Sequence, residues 1–376
     1  MIKGKEWQWS MKVSSYQLFW LISISSMIVF SYLPIQLAAK ESRQDAWISI
    51  LLGCMIMMAI TWIMLRVCMQ NKDKTLVGFM KNLLGTVLGK IIVTVYFLLW
   101  FLQISSIARG TVEFQNLVML HNTPMIVILL CFLFLVAYSV YRGGITAISR
   151  CAEIIGPFFV FILYGQLFLN PQDMDMKRIL PIYADTGWIP ILKGTLYSFN
   201  YMVDPSVILM LFFFAENKRT ASRAILWGTA VAMIWGVLAT LVVLFVTGPG
   251  MAAELVVPVY TLTKIVSILN FIQNIDALFI PLWLLGGFIK LSVYLFILSY
   301  GLSEWTGFKN WKLIACLTTF ILLANVIYST HNLRIGFTYT SLFQIGFFYP
   351  FVYIAIPLIL WMIGSIRQRR KASNIN

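Results

Sequence analysis

Charge is scarce in this sequence: only 11% of its 376 residues are Asp, Glu, Lys or Arg, against about 25% in an average soluble domain. Acidic groups are the rarer sign, 14 against 28 Lys and Arg. There are two histidines, His121 and His331, far apart and without a ligand-spaced companion, so no metal or cofactor is expected. The five cysteines, Cys54, Cys68, Cys131, Cys151 and Cys316, contain no C-x-x-C pair, which argues against a disulfide framework or a zinc site. No G-x-S-x-G, Walker A or H-E-x-x-H occurs, and no catalytic residue is assigned. What fills the chain is apolar: 60% of it is A, V, I, L, M, F, W, Y or C, with a mean hydropathy of +0.85. Apolar runs of about 20 residues recur from end to end, too much to hide in one water-soluble core. The sequence describes an all-α polytopic membrane protein.

Stretches bounded by charge, Pro or polar clusters predict ten spans, at 14–35, 46–67, 91–117, 124–141, 151–169, 188–214, 223–247, 265–301, 311–329 and 342–365. The first is too long for a signal-peptide core and reads as an uncleaved span. The eighth is longer than a bilayer needs and carries Pro281, which predicts tilt or a break. With the N-terminus inside, nineteen basic residues fall on inner segments and seven on outer ones. That imbalance fits both termini in the cytoplasm, the last of them a basic tail at 366–376. It also explains the net charge of +14 without nucleic acid as a partner; the lipid bilayer is the partner instead.

Ten spans divide into two sets of five, 14–169 and 188–365, and an odd number makes the second set enter from the opposite side. The first span of each set has a polar interruption near mid-depth: Ser23, Ser25 and Ser26 before Pro34, and Asn200, Tyr201, Asp204 and Pro205. Discontinuous helices at matching places in two inverted halves point to a central small-molecule site. Pro205 has no N–H, so the Tyr201 carbonyl loses its helical partner and the helix opens. A half-helix N-terminus there would attract a carboxylate, while freed carbonyls and Asp204 would suit an ammonium. The alternative is a structural kink with Asp204 paired to a Lys or hydroxyl. The serines have a similar alternative in bonds to their own backbone. Arg109 and Glu113, four apart, share a helix face and can pair, as a structural link or an outer gate. Asp276, before Pro281, is a possible cation or proton site or a satisfied kink. Lys290 either snorkels or pairs inside the bundle.

The order of motifs carries a resemblance. Ser14-Ser15-Tyr16-Gln17-Leu18-Phe19 leads to Leu33-Pro34, followed by Asp45-Ala46-Trp47-Ile48, Leu84-Gly85 and Leu88-Gly89-Lys90. Then come Arg109 and Glu113, Thr123-Pro124, Arg142-Gly143-Gly144 with Ser149-Arg150, Leu180-Pro181, Ile275-Asp276 with Phe279, and Pro357-Leu358 through Arg367 and Arg369. Over nearly its whole length the chain resembles the B subunit of GerA-type nutrient germinant receptors, the endospore germination permease family of the amino-acid/polyamine/organocation superfamily. The resemblance implies a leucine-transporter-like 5+5 inverted-repeat fold in the inner membrane of a spore, without enzyme activity. It also implies partners, an A subunit and a lipoprotein C subunit, and a nutrient ligand such as an amino acid or sugar that triggers germination. A proton- or sodium-coupled amino-acid permease is the alternative on the same scaffold. The chain departs from the family pattern where ligand choice would be made: Met27-Ile28-Val29 stands in place of a Gly-containing stretch, and Gln273-Asn274 in place of Glu-Arg. Met27 is therefore counted with the candidate substrate-binding residues.

Overall fold

The computed structural model describes residues 11–31, 33–169, 171–199, 204–265, 276–331 and 348–373. The described residues form helices and turns with no strand; one isolated bridge joins Val13 to Ala215. Helix α1 (Ser15–Phe30) starts at a capping box, in which the Ser14 hydroxyl accepts from the Gln17 N–H and the Gln17 side chain accepts from the Ser14 N–H. It stops short of the expected end at residue 35. Helix α2 (Leu33–Ser42) resumes with Pro34 in its first turn, where a missing N–H costs nothing. A 3₁₀ turn at Arg43–Asp45 leads into α3 (Ala46–Gln70). The short α4 (Leu76–Leu84) is capped by Thr75 and ends at Gly85, whose φ of 84° favours glycine. Helix α5 (Thr86–Val118) follows.

The fourth and fifth expected spans are one helical stretch, α6 (Met125–Gln166), bent at Gly144, where φ 54° and ψ −153° leave the helical region. Glycine adopts that conformation without the Cβ clash that stops other residues, so a junction replaces a loop. In the sixth expected span the described residues form α7 (Trp188–Phe199) and a 3₁₀ turn at Asp204–Val207 that runs into α8 (Ile208–Leu211). Asn200 and Tyr201 lie outside the described residues. Helix α9 (Lys218–Glu254), capped by Asn217, bends at Gly248 and precedes α10 (Pro258–Ile265). Helix α11 (Asp276–Thr306) runs through Pro281 without a break among the described residues. Helices α12 (Trp311–His331) and α13 (Ile356–Ser373), the latter entered through a π-turn at Phe351–Ala355, complete the chain.

Eight helical stretches among the described residues are long and apolar enough to cross a membrane, and α1 is a shorter apolar helix beside them. Residues 289–300 of α11 are all buried, and so are ten of the sixteen residues of α1. A helix that is apolar on every side belongs in the middle of a bundle. Around them, Phe134 and Phe161 of α6 and Phe320 of α12 are about 70–80% exposed, a greasy exterior suited to lipid rather than water. Close contact between α1 and α9 depends on Gly228: a Cβ there would stand 2.7 Å from the Phe19 carbonyl oxygen. Gly286 of α11 does the same for Phe159 and Ile28, with 2.8 Å to the Phe159 ring.

Candidate functional site

The C-terminal half of α1, the middle of α11 and the 3₁₀ turn at Asp204–Val207 meet on one buried ion pair. The Lys290 ammonium donates to Asp204 Oδ2 at 2.7 Å and to the backbone carbonyl of Ser25 at 3.0 Å. Asp204 Oδ1 accepts from the Tyr294 hydroxyl at 2.8 Å. Asp204, Lys290 and Tyr294 are all at most 3% exposed. The four-residue spacing of Lys290 and Tyr294 puts both on one face of α11, so a single helix grips both oxygens of the carboxylate. Next along the 3₁₀ turn, the Ser206 hydroxyl accepts from the Trp100 indole of α5 at 2.9 Å.

An isolated charge at membrane depth costs about 2.5–3.5 kcal/mol on insertion scales. Here each charge has its counterion, and the carboxylate has a hydroxyl besides. Asp204 is therefore already satisfied by the chain's own ammonium, the alternative left open by the sequence. Lys290 also holds a carbonyl of α1, so it ties together three elements distant in sequence.

The other expected residues fall at different distances from this junction. Ser23 donates to the Phe19 carbonyl at 2.8 Å and reaches the Gly228 carbonyl of α9 at 3.3 Å, a helix-packing role. Ser25 contributes its carbonyl, while its buried hydroxyl has no hydrogen-bond partner among the described residues. Ser26 and Met27 are buried in the same stretch of α1, and Pro205 is buried beside Asp204. Arg109 and Glu113 do pair, Nε to Oε1 at 2.6 Å, and Arg109 Nη1 reaches the Ser329 carbonyl of α12 at 3.1 Å. That pair lies nine residues beyond Trp100, roughly 14 Å along α5, away from the junction. Asp276 is the first residue of α11, fourteen residues or roughly 21 Å along the axis from Lys290. The structure thus gathers Ser25, Asp204 and Pro205 and leaves Arg109, Glu113 and Asp276 elsewhere. Tyr294 was missed, and Lys290 was noticed without being placed in the site; their i,i+4 spacing in an apolar helix was the available signal. Among the described residues no three His, Cys, Asp or Glu side chains group as a metal site.

A buried charge junction inside a lipid-facing helical shell defines a multi-pass membrane protein built like a leucine-transporter-type carrier. Solved structures agree on the fold. Mhp1, a nucleobase-cation-symport-1 family transporter in a closed conformation with bromovinylhydantoin bound, superposes with a TM-score of 0.68 at 13% identity, covering 96% of this chain and 80% of that one. MhsT in complex with L-phenylalanine superposes with a TM-score of 0.62 at 15% identity, covering 93% of this chain and 88% of that one.

The family model described as "Spore germination protein" matches residues 12–334, and the chain belongs to that family. Among its relatives, the putative spore germination protein YfkT of Bacillus subtilis is 27% identical over 298 residues, covering 78% of this chain and 80% of that protein. Spore germination protein KB of the same organism is 23% identical over 368 residues, covering 96% of each. It is a germination permease-type membrane protein and not an enzyme.

Proposed function

We propose that the chain is the nutrient-sensing subunit of a spore germination receptor, which binds a small molecule such as an amino acid or sugar at the interrupted helices and thereby triggers germination. The observation that carries this reading is the three-way tie of Ser25, Asp204 and Lys290, which joins α1, the 3₁₀ turn at Asp204–Val207 and α11. A ligand shifts a conformational equilibrium only through its difference in affinity for the two states. The tie is an element that a ligand can bias: a ligand carboxylate competes with Asp204 for Lys290, and a ligand ammonium competes with Lys290 for Asp204. Either competition loosens α1 and the restart of span six from α11. MhsT, which shares the fold, holds L-phenylalanine, so the scaffold admits an amino acid.

In this reading 14–169 and 188–365 are inverted five-helix repeats, both termini are cytoplasmic, and the membrane is the inner membrane of the spore. The ligand site is drawn from Ser25, Ser26, Met27, Asn200, Tyr201, Asp204 and Pro205, with Ser23 packing behind it. Arg109 and Glu113 brace α5 against α12 at its outer end. The signal passes to an A subunit and a lipoprotein C subunit. The rival is a proton- or sodium-coupled permease. Against it stands the chemistry of Asp204: a carboxylate neutralised by a tethered ammonium offers little to a free coupling cation.

The test is to supply this chain, with A and C partners, to spores stripped of their own nutrient receptors and to follow germination on a mixture of amino acids, sugars and nucleosides. The proposal expects a saturable response that disappears when this chain alone is omitted. Saturable labelled-nutrient uptake by the purified chain in proteoliposomes, collapsing with the ion gradient, would establish the permease instead.

A further inference from the structure

Two neighbouring helices carry matching stripes on their exposed sides. On α3 the exposed residues Met55, Ala59, Trp62 and Arg66 follow one another at steps of four, three and four. On α13 Ile359, Met362, Ile366 and Arg369 do so at steps of three, four and three. Each set therefore lies on one helix face, and each apolar stripe ends in an arginine. The Trp62 and Trp361 rings meet edge to face with centroids 5.8 Å apart, and the Gln70 amide donates to the Ser365 hydroxyl at 2.9 Å. Both pairings advance in chain order, so α3 and α13 run in the same direction and their arginines reach the same end of the bundle. Gln70 stands one turn after Arg66 and Ser365 one turn before Arg369, so the two arginines flank that contact.

Arg66 is the informative group. Its guanidinium carbon lies 4.8 Å from the centre of the Trp62 ring, one turn back along the apolar stripe, in the direction that helical side chains lean. A long cationic side chain at a membrane border ordinarily extends the other way, into water. The indole face supplies only about 0.5–1 kcal/mol at an exposed site. Among the described residues Arg66 has no ion pair and no hydrogen bond, and Arg369 has no ion pair either. The five N–H donors of the Arg66 fork are thus left for an acceptor from outside the chain. A planar cation laid on an indole at the edge of an apolar stripe is complementary to a phosphodiester whose acyl chains cover that stripe. Basic pockets between membrane helices hold anionic head groups by the same attraction.

We infer that the α3–α13 face binds an anionic phospholipid, with its phosphate on Arg66, Arg369 alongside, and its acyl chains over Met55, Ala59 and Met362. The occupant is a lipid and not a free anion, because a free anion would leave both apolar stripes uncovered. This assignment stands apart from nutrient sensing and from the Lys290–Asp204 junction.

The probe is dioleoyl-phosphatidylglycerol, compared with dioleoyl-phosphatidylcholine of the same chains, titrated onto the full-length protein in detergent and read as the first bound lipid by native mass spectrometry. The expected result is binding of the anionic lipid tighter by about tenfold or more, equivalent to about 1.4 kcal/mol. In Arg66→Gln with Arg369→Gln the two lipids bind equally within about threefold. Arg66→Lys keeps the charge without the planar fork and gives a ratio between the two. Arg219→Gln with Arg223→Gln removes as much charge from α9 and leaves the ratio as it was. Equal binding of the two lipids by the unaltered protein would overturn the assignment, as would a preference that survives loss of both arginines. An equal fall in the α9 variant would also overturn it, since diffuse attraction by net charge would then suffice. Displacement of the bound lipid by inorganic phosphate would replace it with a free-anion site. Should the variant lacking both arginines fail to fold, Arg66→Lys and the two lipids on the unaltered protein decide.

Discussion

Neutralising one half of the Lys290–Asp204 pair costs far more than neutralising both. At a separation of 2.7 Å, two unit charges attract by about 6 kcal/mol at an effective dielectric of about 20. Desolvating the two ions costs several kcal/mol each, so the pair as a whole contributes little net stability. Remove Lys290 alone and the carboxylate keeps its desolvation cost and loses its counterion, a loss of about 3–5 kcal/mol. Asp204→Asn strands the ammonium in the same way, leaving it the Ser25 carbonyl and a weaker amide oxygen. Asp204→Asn with Lys290→Met removes both charges, and the Met side chain replaces most of the lysine stem. The double variant is expected within about 1 kcal/mol of the parent or more stable than it. The assay is thermal unfolding of purified protein in detergent, monitored by size-exclusion of the surviving fraction. At no more than about 2–4 °C per kcal/mol for a chain of this length, each single variant melts on the order of 5–10 °C low, and the double variant recovers most of that. If the double variant melts as low as the sum of the singles, the two groups are not coupled and the junction described above is wrong.

Tyr294→Phe deletes one hydrogen bond to a charged carboxylate and is expected to lower stability by about 1.5–3 kcal/mol, read in the same melting assay, with no effect on the Lys290 contact to Ser25. Gly228→Ala introduces a Cβ at 2.7 Å from a backbone carbonyl oxygen, which cannot rotate away; a cost of about 1–3 kcal/mol follows from overpacking the α1–α9 contact. Arg219→Cys is expected to resist membrane-impermeant thiol reagents applied from outside and to react once the membrane is opened; labelling from outside contradicts cytoplasmic termini.

Helix positions were legible because apolar runs and their punctuation are local properties. The Ser14 cap and the Pro34 restart each announce themselves within a few residues. What the sequence conceals is pairing over distance. Asp204 and Lys290 stand 86 positions apart, and nothing local chooses between Lys290 snorkelling to an interface and Lys290 reaching the restart of span six. Gly143-Gly144 marked a helix junction, yet whether the helices separate or continue through a bend depends on the φ that Gly144 adopts under packing from Trp311 and Phe296.

The most direct measurement is the nutrient dose–response of spores in which the only receptor contains the charge-silenced pair, Asp204→Asn with Lys290→Met, at protein abundance matched to the parent. Because that double variant keeps the fold and loses the charged tie, the response should vanish or its half-maximal nutrient concentration should move by at least tenfold. An unchanged dose–response at equal abundance would contradict the claim that nutrient sensing acts through this junction.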